Sequence, residues 1–551
     1  MDKESRERVT ATMADGTLAS DVSPPADALD RIETSATAKT LSERPAFLNS
    51  TLHEIAFVST LTFAAVLVGA NNGSMNIALP HIGSDLDISG PALNWVVSAY
   101  PLVTSCVLLL FGRLADLFGR RRMMLGGTSW MFIWSLVAGF AQNDILLDFC
   151  RGLMGLGGAA MLPSAIGLLG RAYQPGPRRN KAFAAFGSGA PLGFVIGLIV
   201  GGICAEWIGW RWIFHIVAIL CCCLTALTFV VIPRDAPRPE GAKKPVVDYL
   251  GALLSTSGLI LLVYSLTAAP DASRGWKTPY IIVLLVISVL LLASFLFWQH
   301  KMGMNALMPL SIWKLPSFAA VNGVVFLGWA AFGINSLYAT LVFQDIEGNR
   351  PILTTAKFLP MAIVGTLVNV IAAFIVGRIK GRYILLVGLA GFTIAPMLFA
   401  LWPRGLIYWA MHFPALCLIV VGADLCFNVA NLFIQSSVPP ESQALAGGIF
   451  NTVTNCATSF GLGLAATVSG SITGDSTDKA ALLKGYRGAF WLGTGLSAVG
   501  FICCCLFVRV GVAAKRRGKV EPKPKTEEEM VAENLAEESG VKTGMGNTGE
   551  L

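Results

Sequence analysis

Long apolar runs are the feature of this sequence that most restricts its fold. Segments of roughly 20 residues with almost no charge follow one another along the chain, which is the length of helix that crosses the hydrocarbon core of a bilayer. Because a backbone in lipid has no water to bind, such segments must be helices. Only 14% of the residues are charged, whereas a soluble domain carries about 25%. The sequence therefore predicts an all-α polytopic membrane protein and excludes a soluble one.

Hydropathy predicts fourteen spans between two polar tails. The longest polar connection, at 233–248, follows the sixth span, so the spans divide naturally into six, two and six. The predicted spans lie near 54–79, 93–112, 123–141, 146–170, 182–204, 211–232, 249–268, 279–298, 318–343, 356–377, 383–402, 406–434, 443–470 and 487–512. The predicted domains are an N-terminal tail (1–50), a six-helix bundle (51–233), a linker with two additional spans (234–317), a second six-helix bundle (318–512) and a disordered C-terminal tail (513–551).

Basic residues in the loops predict the orientation of the chain. Twelve Lys and Arg residues lie in the loops after the second, fourth and sixth spans, and none lies after the first, third and fifth. Since Lys and Arg concentrate on the cytosolic side of membrane proteins, we expect both termini to be cytosolic. Topology then accounts for most of the net charge of +7, which gives no indication of a nucleic-acid partner.

A short charged motif joins the second and third predicted spans. Its two glycines allow a tight turn and a close approach between helices. Asp116 is a single acid among four arginines, so it is able to form ion pairs in one conformation that are broken in another. The residues of interest in this loop are Gly112, Arg113, Asp116, Gly119, Arg120 and Arg121.

Polar residues inside the predicted spans are candidates for a central pathway. Asp424 lies in the twelfth span, and an ionisable residue near the bilayer centre costs roughly 2.5–3.5 kcal/mol and usually faces a cavity. Polar residues that follow Asp424 at helical spacing form a stripe along one face of the span. We interpret the stripe as a wall of a water-filled pathway with Asp424 as a proton or cation site; hydrogen bonding between helices is the alternative. The residues at this spacing are Asn428, Asn431 and Gln435 in span twelve, Asn451, Asn455 and Thr458 in span thirteen, and Asn72 and Asn76 in span one.

Arg151 in the fourth span is the second charge placed within the membrane. It is either a structural residue that binds helix carbonyls or a group that acts on a neighbouring acid. Asp148 precedes it by one helical turn and is a candidate partner. Glycines in the fourth and fifth spans predict closely packed, rocking helices. The packing glycines are Gly155, Gly197, Gly201 and Gly202.

The sequence gives no sign of a cofactor or a metal. The twelve cysteines lie in apolar segments without a metal-ligand spacing. The glycine-rich segment at 187–191 lacks the Gly-Lys-Ser/Thr of a phosphate-binding loop. We therefore expect no enzyme activity, and a protein whose partners are a small-molecule substrate and the lipid bilayer. Without an ATP site, an ion gradient or the solute's own gradient must drive any transport. We expect a monomer.

Several motifs resemble those of one transporter family. The frame G-x-L-x-D-x-x-G-R-R at 112–121 is similar to the signature loop of the major facilitator superfamily. The segments at 76–80, 151–160 and 210–214 resemble motifs of its fourteen-span drug:proton antiporter branch. Two positions depart from that pattern, because Leu198 replaces a proline and Asn71 replaces an acid. The resemblance implies a major-facilitator fold in which the loop at 112–122 is a conformational latch, and in which Arg151 takes part in proton coupling.

The second half of the chain has a closer resemblance. The segments at 422–427, 437–439 and 450–455 are similar to the fungal aminotriazole-resistance branch. That branch includes exporters of toxic compounds and a low-affinity ammonium transporter.

These observations lead to three functional hypotheses. The first is proton-coupled export of a small toxic compound or secondary metabolite across the plasma membrane, with the vacuolar membrane as the alternative. The second is uptake or facilitated passage of a small polar or cationic solute such as ammonium, which the departures at Leu198 and Asn71 favour. The third is a membrane receptor or enzyme that does not transport, against which the short tails argue.

Overall fold

The computed structural model of the chain describes residues 45, 47, 48 and 50–511 apart from short gaps. The gaps fall at 89–92, 174–176, 236–246, 270–271, 273, 304–305, 377, 439–442, 475 and 477. The predicted C-terminal tail (513–551) and nearly all of the predicted N-terminal tail (1–50) lie outside the described residues.

Fourteen long helices form in the described residues, one over each predicted span. They are α1 (Thr51–Asp85), α2 (Asn94–Phe118), α3 (Arg120–Ala138), α4 (Asp144–Ala172), α5 (Pro177–Ile203), α6 (Arg211–Val231), α7 (Tyr249–Ala268), α8 (Pro279–Met302), α9 (Phe318–Leu341), α10 (Pro351–Ile375), α11 (Gly381–Leu401), α12 (Tyr408–Ser436), α13 (Gln443–Thr473) and α14 (Lys479–Phe507). Short π-helical turns continue α5 over Cys204–Ile208 and α9 over Val342–Ile346. We call the end where α1 begins and α14 ends the termini face, and the other end the opposite face.

Twelve of these helices are long and apolar enough to cross a membrane. The two others are α3, whose first turn is Arg120–Arg122, and α13, whose sequence contains many Thr and Ser residues and two Asn residues. The all-helical, membrane-spanning class is thus confirmed by twelve spans. The count of fourteen spans and the location of the termini stay predictions.

N-cap residues in the sequence mark where several helices begin in the structure. Ser50 accepts a hydrogen bond from the His53 amide at 3.0 Å, and Asn143 accepts one from the Leu146 amide at 2.8 Å. Both are N-cap contacts, which satisfy amides that have no partner within the helix. Helix α1 runs on to Asp85, beyond the predicted end at 79, because its polar last turn extends past the apolar run.

The helices form two bundles that repeat the same pairings. In the first bundle α1 packs on α5 and α6, α2 on α4, and α3 on α4 and α6. The corresponding helices of the second bundle pair in the same way, as α9 with α13 and α14, α10 with α12, and α11 with α12 and α14. Each bundle is therefore an internally packed body, and the halves of the chain are structural repeats.

Backbones approach most closely between α1 and α5. A Cβ atom at Gly193 or Gly197 would overlap the carbonyl oxygens of Val66 and Ala70, and one at Gly201 would lie 2.6 Å from the Ser74 oxygen. Only glycine allows this contact, in which the two helices touch through main-chain atoms. The pair α1–α5 therefore behaves as one rigid unit within the first bundle.

The additional helices α7 and α8 lie outside the bundles, along one seam between them. Thr256 of α7 donates to the Cys106 carbonyl of α2 at 3.3 Å, and Thr467 of α13 donates to the Leu266 carbonyl of α7 at 2.6 Å. Helix α8 packs on α7. Helix α7 thus bridges the first and second bundles.

Asp248, the N-cap of α7, organises this additional pair. Its carboxylate accepts from the Gly251 amide (2.7 Å), Trp298 Nε1 (2.8 Å), Gln299 Nε2 (2.7 Å) and the Leu307 amide (3.3 Å). It is 3% exposed. One buried carboxylate therefore ties the start of α7 to the end of α8 and to the segment that leads into the second bundle.

Replacing Gly193 by alanine should destabilise the protein, since overpacking a close helix contact costs about 1–3 kcal/mol. The matched control is Gly187→Ala in the same helix, where a Cβ would meet nothing within 4 Å. We expect a clearly lower melting temperature for Gly193→Ala and an unchanged or slightly higher one for Gly187→Ala. Thermal unfolding in detergent measures both, and equal melting temperatures would contradict the account of the contact.

Asp248→Asn should loosen α7 and α8, because the amide nitrogen of asparagine cannot accept the bonds that Gln299 and Leu307 donate. The expected local cost is about 1–3 kcal/mol. Hydrogen–deuterium exchange over 247–308 should rise at least tenfold. The exposed N-cap variant Asp478→Asn, whose remaining side-chain oxygen can still accept from the Ala480 amide, should leave that region unchanged. Equal exchange in the two variants would show that Asp248 is not the organising group.

The same carboxylate should make this region sensitive to acid. Burial alone would raise the pKa of Asp248, but the hydrogen bonds from Gly251, Trp298 and Gln299 outweigh it and hold the pKa below its ordinary value. The contribution of Asp248 to stability is therefore complete above about pH 4 and is lost as the pH falls through the lowered pKa. Exchange over 247–308 should rise below that pH in the wild type, and much less in Asp248→Asn.

Candidate functional site

Asp424 lies in the middle of α12 and faces α10. Its side chain is 7% exposed, and its Oδ2 atom is buried without a hydrogen-bond partner among the described residues. A Cβ added to Gly365 of α10 would lie 3.0 Å from that oxygen, so a glycine makes room for the carboxyl group. The second bundle therefore holds an acid that neither an ion pair nor a full set of hydrogen bonds satisfies.

The polar stripe of α12 continues from Asp424 toward the termini face. Asn428 Nδ2 donates at 2.8 Å both to the Asp424 carbonyl and to Asn369 Oδ1 of α10. One turn farther on, Gln435 donates to Asn431 Oδ1 at 2.8 Å. The stripe is thus a chain of amides in which α10 takes part through Asn369.

The predicted stripes of α13 and α1 are bonded along their own helices. Asn455 donates to the Asn451 carbonyl at 2.9 Å in α13, and Asn76 donates to the Asn72 carbonyl at 3.0 Å in α1. These bonds use one amide hydrogen each. The amides do not lie free in the membrane, and they keep oxygen atoms for other partners.

Arg151 is fully buried in the first bundle, where it contacts α1 and α2. Its Nε donates to the Val96 carbonyl at 2.9 Å and its Nη1 to Asn71 Oδ1 at 2.8 Å, and its guanidinium lies 5.2 Å from the centre of the Tyr100 ring. Three polar atoms of this group have no hydrogen-bond partner among the described residues, namely Arg151 Nη2, Asn71 Nδ2 and Tyr100 Oη. Buried donors of this kind suit a bound water or a polar group of a ligand.

Arg151 and Asp424 thus have separate partners, in different bundles. The structure brings together Arg151 and Asn71, the position at which the resemblance expects an acid. It brings together Asp424, Asn428 and Asn431 along α12 and adds Asn369 from α10.

The latch loop connects α2, α3, α4 and the end of α6. Gly119 lies between α2 and α3 with φ +104°, which glycine adopts without strain. Asp116 and Arg120 form an ion pair at 2.8 Å, and Arg120 also donates to the Gly167 carbonyl of α4. Arg121 donates to the Phe229 carbonyl at 2.6 Å. These contacts all lie within the first bundle.

Other latch and packing residues lie at helix crossings. A Cβ at Gly112 would contact Pro163 at 3.6 Å, and one at Gly155 would lie 2.7 Å from the Tyr100 carbonyl. Gly202 lies against Thr355 of α10, so it belongs to the contact between the bundles. Arg113 is half-buried near the end of α2.

Asp235 is a latch residue that the sequence interpretation missed. Its carboxylate accepts from the amides of Arg121 (3.2 Å) and Arg122 (3.3 Å), so it caps the amino end of α3. A Cβ at Gly119 would overlap the same carboxylate, which gives that glycine a second role. In the second bundle the carbonyls of Gly511 and Val510 accept from the amides of Gly381 and Arg382 at the start of α11. In each bundle, then, the segment after the sixth helix caps the third.

Polar contacts at the opposite face join the bundles beside the packed helices α2 and α13. Gln344 donates to the Ile77 carbonyl at 2.9 Å, and Thr355 donates to the Leu198 carbonyl at 3.1 Å. Arg350 and Glu206 lie 3.7 Å apart. These bonds join α9 and α10 to α1 and α5, and the two π-helical turns lie beside them. We call this set of contacts the gate, and the gate is closed while these contacts are made.

The sequence interpretation also missed Asn369 and Asn335. Asn335 in α9 is fully buried, and neither polar atom of its amide has a partner among the described residues. Asn369 is the single amide of α10, and Asn335 lies far along α9 from Asn322, so neither residue belongs to a polar stripe at helical spacing. Among the described residues, no group of three or more His, Cys, Asp or Glu residues is arranged to hold a metal ion.

Comparison with known proteins identifies the family. The model of the Major Facilitator Superfamily matches residues 61–462 and 361–536. The low affinity ammonium transporter of Saccharomyces cerevisiae is 33% identical over 474 residues, which cover 84% of this chain and 90% of the transporter. Efflux pump terJ of Aspergillus terreus is 33% identical over 461 residues, which cover 82% of this chain and 88% of the pump. The aminotriazole resistance protein of S. cerevisiae is 28% identical over 491 residues, which cover 87% of this chain and 88% of that protein.

Solved structures show the same fold at low sequence identity. An auto-inhibited peptide transporter of the POT family superposes with a TM-score of 0.58 and 15% identity, covering 85% of this chain and 99% of that one. An inward-facing bacterial homologue of the human lysosomal transporter Spinster gives a TM-score of 0.57 and 15% identity, covering 83% of this chain and 98% of that one. The resemblance to the major facilitator superfamily and its aminotriazole-resistance and ammonium-transporter members is confirmed. The chain therefore belongs to the major facilitator superfamily and is a multi-pass membrane transporter of small molecules.

Proposed function

We propose that this transporter exports small toxic compounds or secondary metabolites in exchange for protons. The similarity to an efflux pump and to an aminotriazole resistance protein supports export. In this proposal the proton gradient is the driving force, and the two bundles alternate around a central pathway.

The buried carboxyl of Asp424 is the observation that carries the proposal. One of its oxygens has no partner, so that oxygen is able to take up a proton without breaking an existing hydrogen bond. Asn428 donates to the Asp424 backbone carbonyl and to Asn369 of α10, so amides that offer polar contacts to a substrate lie one helical turn from the carboxyl. Asp424 then exchanges a proton for substrate as the pathway alternates between the two faces.

Arg151 and the latch have supporting roles in this proposal. Arg151 lies against Asn71 and Tyr100 with an unused donor, so it offers a fixed positive charge and a hydrogen bond to the pathway. The Asp116–Arg120 pair holds α2 and α3 to α4 in the present conformation. Breaking and remaking this pair would accompany the change between conformations.

We propose fourteen membrane spans with both termini in the cytosol. The coincidence of fourteen long helices with fourteen apolar segments supports the count. The basic loops of the first bundle support the orientation. A monomer in the plasma membrane suits export from the cell, and the vacuolar membrane is the alternative site.

Uptake of ammonium or a similar small cation is the second candidate function. It is favoured by Asn71, because the neutral amide leaves Arg151 without an acidic partner at that position. It is also favoured by the 33% identity to a low affinity ammonium transporter.

Asp424→Asn should abolish proton movement driven by substrate, because asparagine keeps the size of the side chain but carries no exchangeable carboxyl proton. Proteoliposomes with an acidic interior and a pH-sensitive dye would report proton release when 3-aminotriazole is added outside. We expect the initial rate to fall about tenfold or more in Asp424→Asn. The matched control is Asp148→Asn in α4, where a carboxyl oxygen is also buried without a partner, and it should keep most of the rate. Loss of the signal in Asp148→Asn alone would move the proton site to the first bundle.

Growth assays separate the two candidate functions. A yeast strain without its own exporters and ammonium transporters would express the chain. Its growth would be measured in the presence of 3-aminotriazole and, separately, on limiting ammonium. Export predicts tolerance of 3-aminotriazole that depends on Asp424. Improved growth on limiting ammonium alone, without tolerance, would favour uptake and contradict the export proposal.

A further inference from the structure

The segment 344–350, which follows α9, holds the gate together. Gln344 binds α1 through the Ile77 carbonyl, and Arg350 pairs with Glu206 beyond α5. Within the second bundle, Asp345 accepts from Tyr486 of α14 at 2.8 Å. Each of these polar side chains thus binds a different helix, so the segment cannot move without breaking several contacts.

Glu347, in the same segment, lies between two cationic or potentially cationic side chains. Its Oε2 atom pairs with Lys357 Nζ of α10 and accepts from Asn349 Nδ2 at 2.7 Å. Its Oε1 atom lies 3.3 Å from His412 Nδ1 of α12, at ion-pair distance but outside hydrogen-bond geometry. Lys357 and His412 therefore share one carboxylate.

His412 is completely buried in an aromatic pocket. Its ring stacks on Phe399 at 4.8 Å between ring centres and lies 4.7 Å from Trp402 and 5.1 Å from Phe343. Both ring nitrogens lack a hydrogen-bond partner among the described residues. A buried histidine with two unsatisfied nitrogens beside a carboxylate is an unused proton acceptor.

The charges around His412 disfavour its protonated form while the gate is closed. Lys357 already neutralises Glu347, and its ammonium group lies 4.7 Å from the centre of the Phe343 ring. From α14, Arg487 donates to the Trp402 carbonyl at 2.6 Å, which adds a second positive charge on that side. A protonated imidazole would meet two cations with only one carboxylate to share.

We propose that His412 and Glu347 form a proton-binding site, separate from Asp424, which takes up a proton when the gate opens and Lys357 leaves Glu347. Lys357 follows Thr355, which binds the first bundle, and Glu347 lies between Gln344 and Arg350, which also bind it. Opening the gate therefore releases the backbone on both sides of the Glu347–Lys357 pair. His412 then replaces Lys357 as the counter-ion of Glu347.

Thermodynamic linkage gives the direction of the effect. If the open gate binds one proton more than the closed gate, lowering the pH must favour opening. The closed gate is therefore favoured at high pH and is weakened as the pH falls through the range in which the imidazole beside Glu347 takes up its proton. The largest change that one proton allows is about tenfold in the open-to-closed ratio for each pH unit.

Hydrogen–deuterium exchange over 342–357 measures this opening in the full-length protein in lipid nanodiscs. After correction for the intrinsic pH dependence of exchange, we expect opening to increase between pH 7.5 and 5.5 in the wild type. His412→Phe, which keeps the aromatic packing, should remove the increase. Lys357→Gln removes the competing cation, so the increase should begin at higher pH. The matched control is His215→Phe, since His215 also packs on two aromatic rings, Phe140 and Trp212, and it should behave as the wild type.

Two results would overturn the proposal. The first is that gate opening in the wild type does not change with pH, and the second is that His412→Phe folds and keeps the wild-type pH response. If His412→Phe does not fold, Glu347→Gln decides in its place and should also abolish the response. The measurement needs no substrate, and Asp424→Asn should keep the gate response, so failure here is distinguishable from failure of the proton-exchange proposal. A response that disappears in Asp424→Asn but not in His412→Phe would assign the proton to Asp424 alone.

Discussion

The exclusion of water from the bilayer is the constraint on which this structure depends. Every polar group inside the membrane must find its partner in the protein, because lipid offers none. Many serines and threonines of the helices meet this demand by donating to carbonyls one turn earlier, as Thr60 and Thr104 do. The groups that do not meet it stand out for that reason. They include Asp424, the Arg151 cluster, Asn335 and His412, each of which has at least one buried polar atom without a partner among the described residues.

Close backbone packing turns these scattered groups into parts of rigid bodies. In the first bundle, glycine contacts between α1 and α5 bring main chains together, and Arg151 is fixed against α1 and α2. In the second bundle, Asp424 of α12 lies against Gly365 of α10. The contacts at the gate join the two bodies through only a few hydrogen bonds and one exposed ion pair. Between the bundles, α2 also packs on α13, and few side-chain hydrogen bonds cross, which suits rocking of one bundle against the other.

Hydropathy was sufficient to predict the helices and their order, because a span of about 20 apolar residues has one stable backbone structure in lipid. Asp424, Arg151 and the latch were identifiable as charges in unusual places. The residues that bind these groups were not identifiable from the sequence. Asn369 binds Asn428 across 59 residues, Asn71 binds Arg151 across 80, and Asp235 binds the amide of Arg121 across 114. Such pairs depend on how one helix is rotated and shifted against another, and the apolar pattern of a single helix does not carry that information. The fold was therefore predictable to a greater extent than the site.

The position of α7 makes the two flanks of the molecule unequal. Through Thr256 and Thr467 this helix spans the seam between α2 and α13, and it separates that seam from the lipid. The other seam is bonded by Thr355 and Leu198, and its helices α5 and α10 expose apolar side chains such as Leu192 and Ile363. An oily compound that first dissolves in the membrane would meet a covered flank on one side and an uncovered flank on the other. Entry from the bilayer, where it occurs, would therefore have a preferred side.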